Sequence, residues 1–223
     1  MKDLRIGHIP ALETLTGALR HWSIEKGAAV ALTFLSGDDA ETLSYLDLHN
    51  RALEIADDLS RVCPPGARVV LGFEQELDYV SAFLGCVYAG AVAVTSAPPD
   101  ELRRSMRLKA LLADSGAKAV LTNDNAADKF EGLASMGDIK VLNTDTLSGG
   151  RIEAPYPAEE DELMFLQYTS GSTSSPRGVM LTHGSIAANL KAIVADTQPH
   201  DESVYVSWLP LYHDMGLIFM TLA

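Results

Sequence analysis

The chain has 223 residues, and its 17 lysines and arginines against 30 aspartates and glutamates give a formal net charge of −13, with 47% hydrophobic and 21% charged residues. That composition excludes a disordered chain, a collagen-like repeat and a disulfide scaffold, and its acidity argues against a general nucleic-acid binder. At roughly 150 residues per domain the length fits one large domain or two small ones, and a local anion pocket of backbone N–H groups and hydroxyls stays compatible with the charge.

Residues 10–26 carry Leu12, Leu15, Leu19 and Trp22 at helical spacing, which predicts an opening helix. Ala29 to Leu35 reads as a strand, with Thr42 to Tyr45 as its partner across a turn at Gly37-Asp38-Asp39. Leu46 to Val62 is an amphipathic helix with Leu48, Ala52, Ile55, Ala56 and Leu59 inward, ended by Pro64-Pro65-Gly66 and followed by a strand at Arg68 to Phe73. Leu77 to Tyr88 is a helix whose apolar face is Val80, Phe83, Leu84, Val87 and Tyr88; Gly90 stops it, and Ala91 to Thr95 is a buried strand closed by Pro98-Pro99.

The alternation continues with a helix over 101–115, a strand at Ala119 to Thr122, a helix over 126–135 and a strand at Lys140 to Asn143. Repeated strand–helix–strand units of this size predict an α/β fold, a layered, mostly parallel sheet flanked by helices. Residues 148–162 read as a linker dividing an α/β subdomain, 1–147, from a segment at 163–223. The acidic run Glu159-Glu160-Asp161-Glu162 inside the linker reads as a solvated surface, since neighbouring side chains diverge and cannot converge on one metal.

Cys63 and Cys86 are the two cysteines, with neither a C-x-x-C pair nor clustered histidines, so a reduced, cytoplasmic setting is expected and a metal site is not. The uncharged stretch Tyr79 to Pro99 is long enough to span a bilayer, but its helix–glycine–strand pattern makes it a component of a folded α/β domain rather than a transmembrane segment.

The most unusual stretch follows the apolar run Leu163 to Tyr168. Residues 169–175, Thr-Ser-Gly-Ser-Thr-Ser-Ser, place six hydroxyls and one glycine in seven positions, and Pro176-Arg177-Gly178 follows. Hydroxyls and glycine-exposed N–H groups suit a polyphosphate, and Arg177 adds a forked cation. The Walker pattern fails because Pro176 stands where it needs glycine, and a strand at Val179 to Leu181 follows the loop where a P-loop has a helix, so a conventional P-loop ATPase or kinase is disfavoured. By composition alone an exposed Ser/Thr-rich turn remains the other reading. Thr182 is an expected N-cap for a helix carrying Ile186, Leu190 and Ile193 on one face.

Further on, Ser203 to Trp208 reads as a strand leading through Leu209-Pro210-Leu211 to Tyr212-His213-Asp214-Met215-Gly216. Adjacent side chains seldom face each other and no G-x-S-x-G occurs, so His213 taken alone reads as a packed or capping histidine before a catalyst.

Together the segments YTSGSTSSPRGV at 168–179 and WLPLYHDMGLI at 208–218 resemble, in order and spacing, the phosphate loop and the next motif of the adenylate-forming (AMP-binding) superfamily; FLGCVYAGAVAV at 83–94 is similar to a third segment. Gln167, the HDMG at 213–216 and Pro98-Pro99 resemble most its fatty acyl-AMP ligases. The resemblance departs at Ser174, where the superfamily usually has glycine, and at Arg177, where it usually has lysine.

The resemblance implies the N-terminal part of the large domain of an enzyme that uses Mg2+ and ATP to activate a fatty acid as an acyl-adenylate, then passes the acyl group to the phosphopantetheine of an acyl carrier protein or to CoA. A long-chain acyl-CoA synthetase, another adenylation domain and a non-catalytic nucleotide-binding module are the alternatives. Thr169, Ser170, Gly171, Ser172, Thr173, Arg177 and Gly178 would hold the ATP phosphates, and His213, Asp214, Met215 and Gly216 would lie beside the acyl-adenylate. The adenine and ribose motifs, the acidic residue associated with Mg2+ and the C-terminal domain with its catalytic lysine would lie beyond Ala223, so no catalytic residue is assigned within the chain. The uncharged run Met215 to Ala223 is expected to pack against such further sequence and otherwise to leave an exposed apolar patch.

Overall fold

The computed structural model describes residues 14–74, 77–98, 107–130, 139–169, 177–200 and 202–223. Helix α1 (Leu15–Glu25) opens the described chain, and β1 (Val30–Ser36) and β2 (Asp39–Ser44) form a separate antiparallel hairpin. Its turn passes through Gly37 at φ 62°, a left-handed conformation that glycine adopts without steric cost. Ser44 then caps α2 (Tyr45–Val62) in a reciprocal box with Asp47.

The main sheet holds β3 (Arg68–Leu71), β4 (Val92–Thr95), β5 (Ala119–Thr122), β6 (Lys140–Asn143), β7 (Leu163–Thr169) and β8 (Arg177–Thr182) in the order β6-β5-β3-β4-β7-β8. Every pairing is parallel except the antiparallel β7–β8. This is the expected layered, mostly parallel sheet.

Register sorts the core into two layers. Ala119, Val69, Ala93 and Phe165 stand side by side across four strands. They belong to one apolar cluster with α2 and with α3 (Leu77–Tyr88). The next row, Val120, Val70, Val94 and Leu166, faces the other way onto Leu108, Leu111 and Leu112 of α4 (Arg107–Ser115). Successive strand residues point to opposite faces, so both faces must be covered, and every residue of β4 and β5 is buried.

The α3 face is two helices deep. One apolar face is expected for α3, yet every residue from Tyr79 to Tyr88 is buried. The sheet covers one side, with the Phe83 and Phe165 rings edge to face at 5.3 Å. On the other side α2 comes so close that a Cβ on Gly85 would overlap Ile55. The helix after β3 and the helix after β4 lie on opposite faces, so the carboxyl ends of these strands form a topological switch point, the place where such sheets generally bind ligands.

Residues 148–162, expected as a linker, run as a strap along α2 and α3. Leu147 and Ile152 join the core cluster, Arg151 pairs with Glu54 at 2.7 Å, and the Tyr156 N–H donates to the Tyr88 carbonyl at 2.8 Å. The acidic run closes a turn: Glu162 accepts from the Tyr156 hydroxyl at 3.1 Å and from the Glu159 N–H at 2.7 Å. The strap returns the chain to the same sheet, where β7 pairs with β4.

Two expected elements differ. In place of a helix over 126–135, Ala127–Phe130 forms a 3-10 turn whose Phe130 ring is buried; residues 131–135 lie outside the described residues. Ser203 to Trp208 is not a strand: all six residues are exposed, Val204 at 83%, Val206 at 74% and Trp208 at 89%. Alternating apolar residues encode a face to bury, but a strand also needs a neighbouring edge to bond, and none of the described strands pairs there.

Past this segment, Met215–Leu222 winds as a π-helix and buries Gly216, Leu217 and Ile218. Met215 of this run is exposed, and further exposed apolar side chains stand at Val204, Val206 and Trp208 and at Val179 and Met180 of edge strand β8. No helix of the described residues is long and apolar enough to cross a membrane.

Candidate active site

The hydroxyl-rich segment connects β7 to β8. Thr169, the last residue of β7, pairs with Arg177, the first of β8; Tyr168 pairs with Gly178 and Gln167 with Val179. Ser170, Gly171, Ser172 and Thr173 lie outside the described residues, so the structure places the two ends of the loop. Those ends sit next to the carboxyl end of β4, where Thr95 pairs with Gln167, beside the switch point. As expected, a strand follows the loop, and Thr182 then caps helix α5 (His183–Thr197) by a reciprocal box with Ser185.

Alternation along β7 sends consecutive side chains to opposite faces. The Gln167 side-chain amide donates to the Tyr212 carbonyl at 3.3 Å. The Tyr168 hydroxyl donates to Asp114 of α4 at 2.5 Å. Its ring lies under Gly178, where a Cβ would stand 2.8 Å from Cε2. Burial and the bond to Asp114 push the Tyr168 phenol pKa well up, so it stays a neutral donor. Arg177 is exposed.

The second expected set follows Tyr212. His213 and Asp214, taken from sequence as neighbours that diverge, meet: Nδ1 and Oδ1 are 2.5 Å apart, with both side chains more than half exposed. The turn at Leu209-Pro210 brings them together. The His213 N–H donates to the Pro210 carbonyl at 3.0 Å, and Asp214 Oδ1 also accepts the Met215 N–H at 2.8 Å. A Cβ on Gly216 would overlap the Pro210 carbonyl, so the tight entry into the π-helix requires glycine there. Met215 is about half exposed, while Leu217 and Ile218 anchor the helix in the core. Beneath this segment Tyr79 of α3 is buried near Tyr212 and Thr95, and burial pushes its phenol pKa up.

The structure thus joins the two motifs through Gln167 and Tyr212, and pairs Tyr168, the first residue of the 168–179 motif, with Asp114, which no motif pattern singled out. Asp114 is 54 residues from its partner in sequence; only the face to which Tyr168 points could have suggested it. Chemically, the described loop ends offer the exposed Arg177 guanidinium, a group suited to an anion. Among the described residues no group of three or more His, Cys, Asp or Glu side chains gathers to hold a metal ion.

The family model for AMP-binding enzymes matches residues 19–223. The chain is 35% identical to the long-chain-fatty-acid–AMP ligase FadD28 of Mycobacterium tuberculosis (strain H37Rv) over 231 residues, covering 93% of this chain and 39% of that protein. It is 34% identical to the medium-chain-fatty-acid–[acyl-carrier-protein] ligase JamA of Moorena producens, covering 94% of this chain and 37% of that protein. A crystal structure of the fatty acyl-adenylate ligase from L. pneumophila with acyl adenylate and pyrophosphate superposes with a TM-score of 0.83 at 33% identity, over 94% of this chain and 37% of that one. The chain thus spans about two fifths of the length of the relatives it matches. With the family model matched over nearly its whole length, the chain belongs to the AMP-binding enzyme family.

Proposed function

We propose that the protein carrying this chain activates a fatty acid as its acyl-adenylate and hands the acyl group to the phosphopantetheine thiol of an acyl carrier protein. The observation that carries this reading is the Gln167–Tyr212 bond, which couples the base of the hydroxyl-rich loop to the His213-Asp214 segment; in this reading the first element holds phosphates and the second lies beside the acyl-adenylate. The ligases with which the chain shares about a third of its residues support the substrate class.

In the first step a carboxylate oxygen of the acid attacks the α-phosphorus of ATP, the bond to the bridging oxygen breaks, and pyrophosphate leaves with its electrons. Thr169, Ser170, Gly171, Ser172, Thr173, Arg177 and Gly178 hold the β and γ phosphates and stabilise the charge that develops on them, a positioning and electrostatic role. His213, Asp214, Met215 and Gly216 line the side where the carboxylate meets the nucleotide. In the second step the thiol attacks the acyl carbonyl and AMP departs. Mg2+, bound with ATP, would offset the charge that develops on the departing pyrophosphate. The strap at 148–162 joins the 1–147 portion to the loop-bearing segment, and the enzyme works in the cytoplasm.

A second acceptor, CoA, follows from the 33% identity over 198 residues to FadD21 of Mycobacterium tuberculosis (strain H37Rv), named a putative fatty-acid–CoA ligase. ATP–pyrophosphate exchange by the whole gene product with medium- and long-chain fatty acids tests activation, and holo-carrier protein against CoA in the transfer step tests the acceptor. Fatty-acid-dependent exchange is expected, with transfer to the carrier. No exchange with any acid would leave a non-catalytic nucleotide-binding protein, and transfer to CoA alone would make it an acyl-CoA synthetase.

A further inference from the structure

Asp114 breaks a local rule. It is the penultimate residue of α4, at the negative end of the helix dipole, where a carboxylate is unfavourable. The Arg68 guanidinium closes the same end by donating to the Ser115 carbonyl at 2.9 Å. Among the described residues the carboxylate takes one hydrogen bond, from the hydroxyl of Tyr168. Tyr168 joins the apolar cluster on the α4 face through its ring, a task that phenylalanine would do as well. The ring also carries β8, because it lies under Gly178 with no room for a side chain between. Gly178 is bonded in sequence to Arg177, the cation at the mouth of the loop. β8 is an edge strand whose ladder runs along β7 alone, so one side of it has no other support.

We infer that Tyr168, held by Asp114, is a positioning residue that fixes the start of β8 and with it the place from which Arg177 reaches the ATP phosphates. This rests on the phosphate role proposed above for Arg177. The bond crosses from the sheet to α4, so it ties the loop mouth to the domain on the face opposite the Gln167 contact. Loss of the hydroxyl leaves the ring packed and frees the edge strand to shift.

The test uses the whole gene product and three variants: Tyr168→Phe, Asp114→Ala and Asp114→Asn, the last keeping an acceptor oxygen. Amide hydrogen exchange over residues 177–182 is measured without nucleotide, and ATP–pyrophosphate exchange supplies kcat and KM for ATP and for the acid. Tyr168→Phe and Asp114→Ala are expected to speed amide exchange at 177–182 and to raise KM for ATP about fivefold, the scale of one ordinary hydrogen bond lost. The KM for the acid stays unchanged, the melting temperature falls by no more than a few degrees, and Asp114→Asn restores most of the ATP affinity. Unaltered protection at 177–182 in Tyr168→Phe overturns the inference whatever the protein activates, as does an equal rise in KM for both substrates. An unaltered protein that exchanges no pyrophosphate defeats the proposed function instead, and amide exchange still decides the tether.

Discussion

The side-chain amide of Gln167 reaches across 3.3 Å to the carbonyl of Tyr212, tying the end of β7 before the hydroxyl-rich loop to the residue before His213. Gln167 is buried, so the bond is shielded from competing water. Gln167→Ala is expected to lower unfolding free energy by about 1 kcal/mol, the typical net worth of one such bond. In the whole gene product it should also raise KM for the fatty acid more than for ATP. Urea unfolding and exchange kinetics check the two parts; a variant with unchanged acid KM would separate the bond from the acyl side of the site.

Arg177 offers a fork where a lysine would offer a point charge. Arg177→Ala is expected to weaken ATP binding about tenfold, as loss of one charge-assisted contact implies, and Arg177→Lys to recover part of it. The readout is KM for ATP in pyrophosphate exchange. Equal affinity in all three proteins would remove the phosphate role from this residue.

Close packing of α2 on α3 depends on Gly85, where any Cβ meets Ile55. Gly85→Ala is expected to cost about 2 kcal/mol through overpacking, and Ile55→Ala about 3 kcal/mol through the cavity it leaves. Because the residues touch, the double variant should lose less than the sum. Denaturant midpoints of the four proteins complete the cycle, and strict additivity would mean that the helices do not meet there.

Two histidines set an acid limit. Burial, then the nearby Arg20 and Arg151, holds His49 below its usual 6.5, and burial lowers His183 despite the opposing pull of Glu162. Both are therefore neutral in the folded state at pH values where the unfolded chain begins to protonate. Stability is fully present above about pH 6.5 and is lost as pH falls below it, because the unfolded state binds more protons there. His49 also shares a hydrogen bond with the Tyr88 hydroxyl at 2.9 Å. His49→Gln should flatten the decline in urea midpoint between pH 7.5 and 5.5; an unchanged slope would show that His49 does not titrate on unfolding.

Some of this was readable in residue order and some was not, for reasons that differ by element. Strands β4 and β5 are short runs of Val, Ala, Leu and Thr buried on both faces, and such runs announce themselves. The Ser203 to Trp208 segment carries the same kind of signal, yet it is exposed, because periodicity states which face seeks cover and not what supplies it. The π-helix at Met215–Leu222 was hidden for a related reason: an uncharged run says only that it will be buried. His213 and Asp214 failed a general rule of adjacency because a turn through Pro210 brings their side chains to 2.5 Å.

Residue order alone determined the alternating strands and helices, the two ordered motifs and the family they signal, since these rest on local spacing and on residue chemistry. Only the tertiary structure decided that the strap lies on α2 and α3, that Gln167 holds Tyr212 and that Tyr168 holds Asp114. Each of those contacts joins residues distant in the chain, and the faces that meet are set by strand register and crossover direction, which no local pattern encodes.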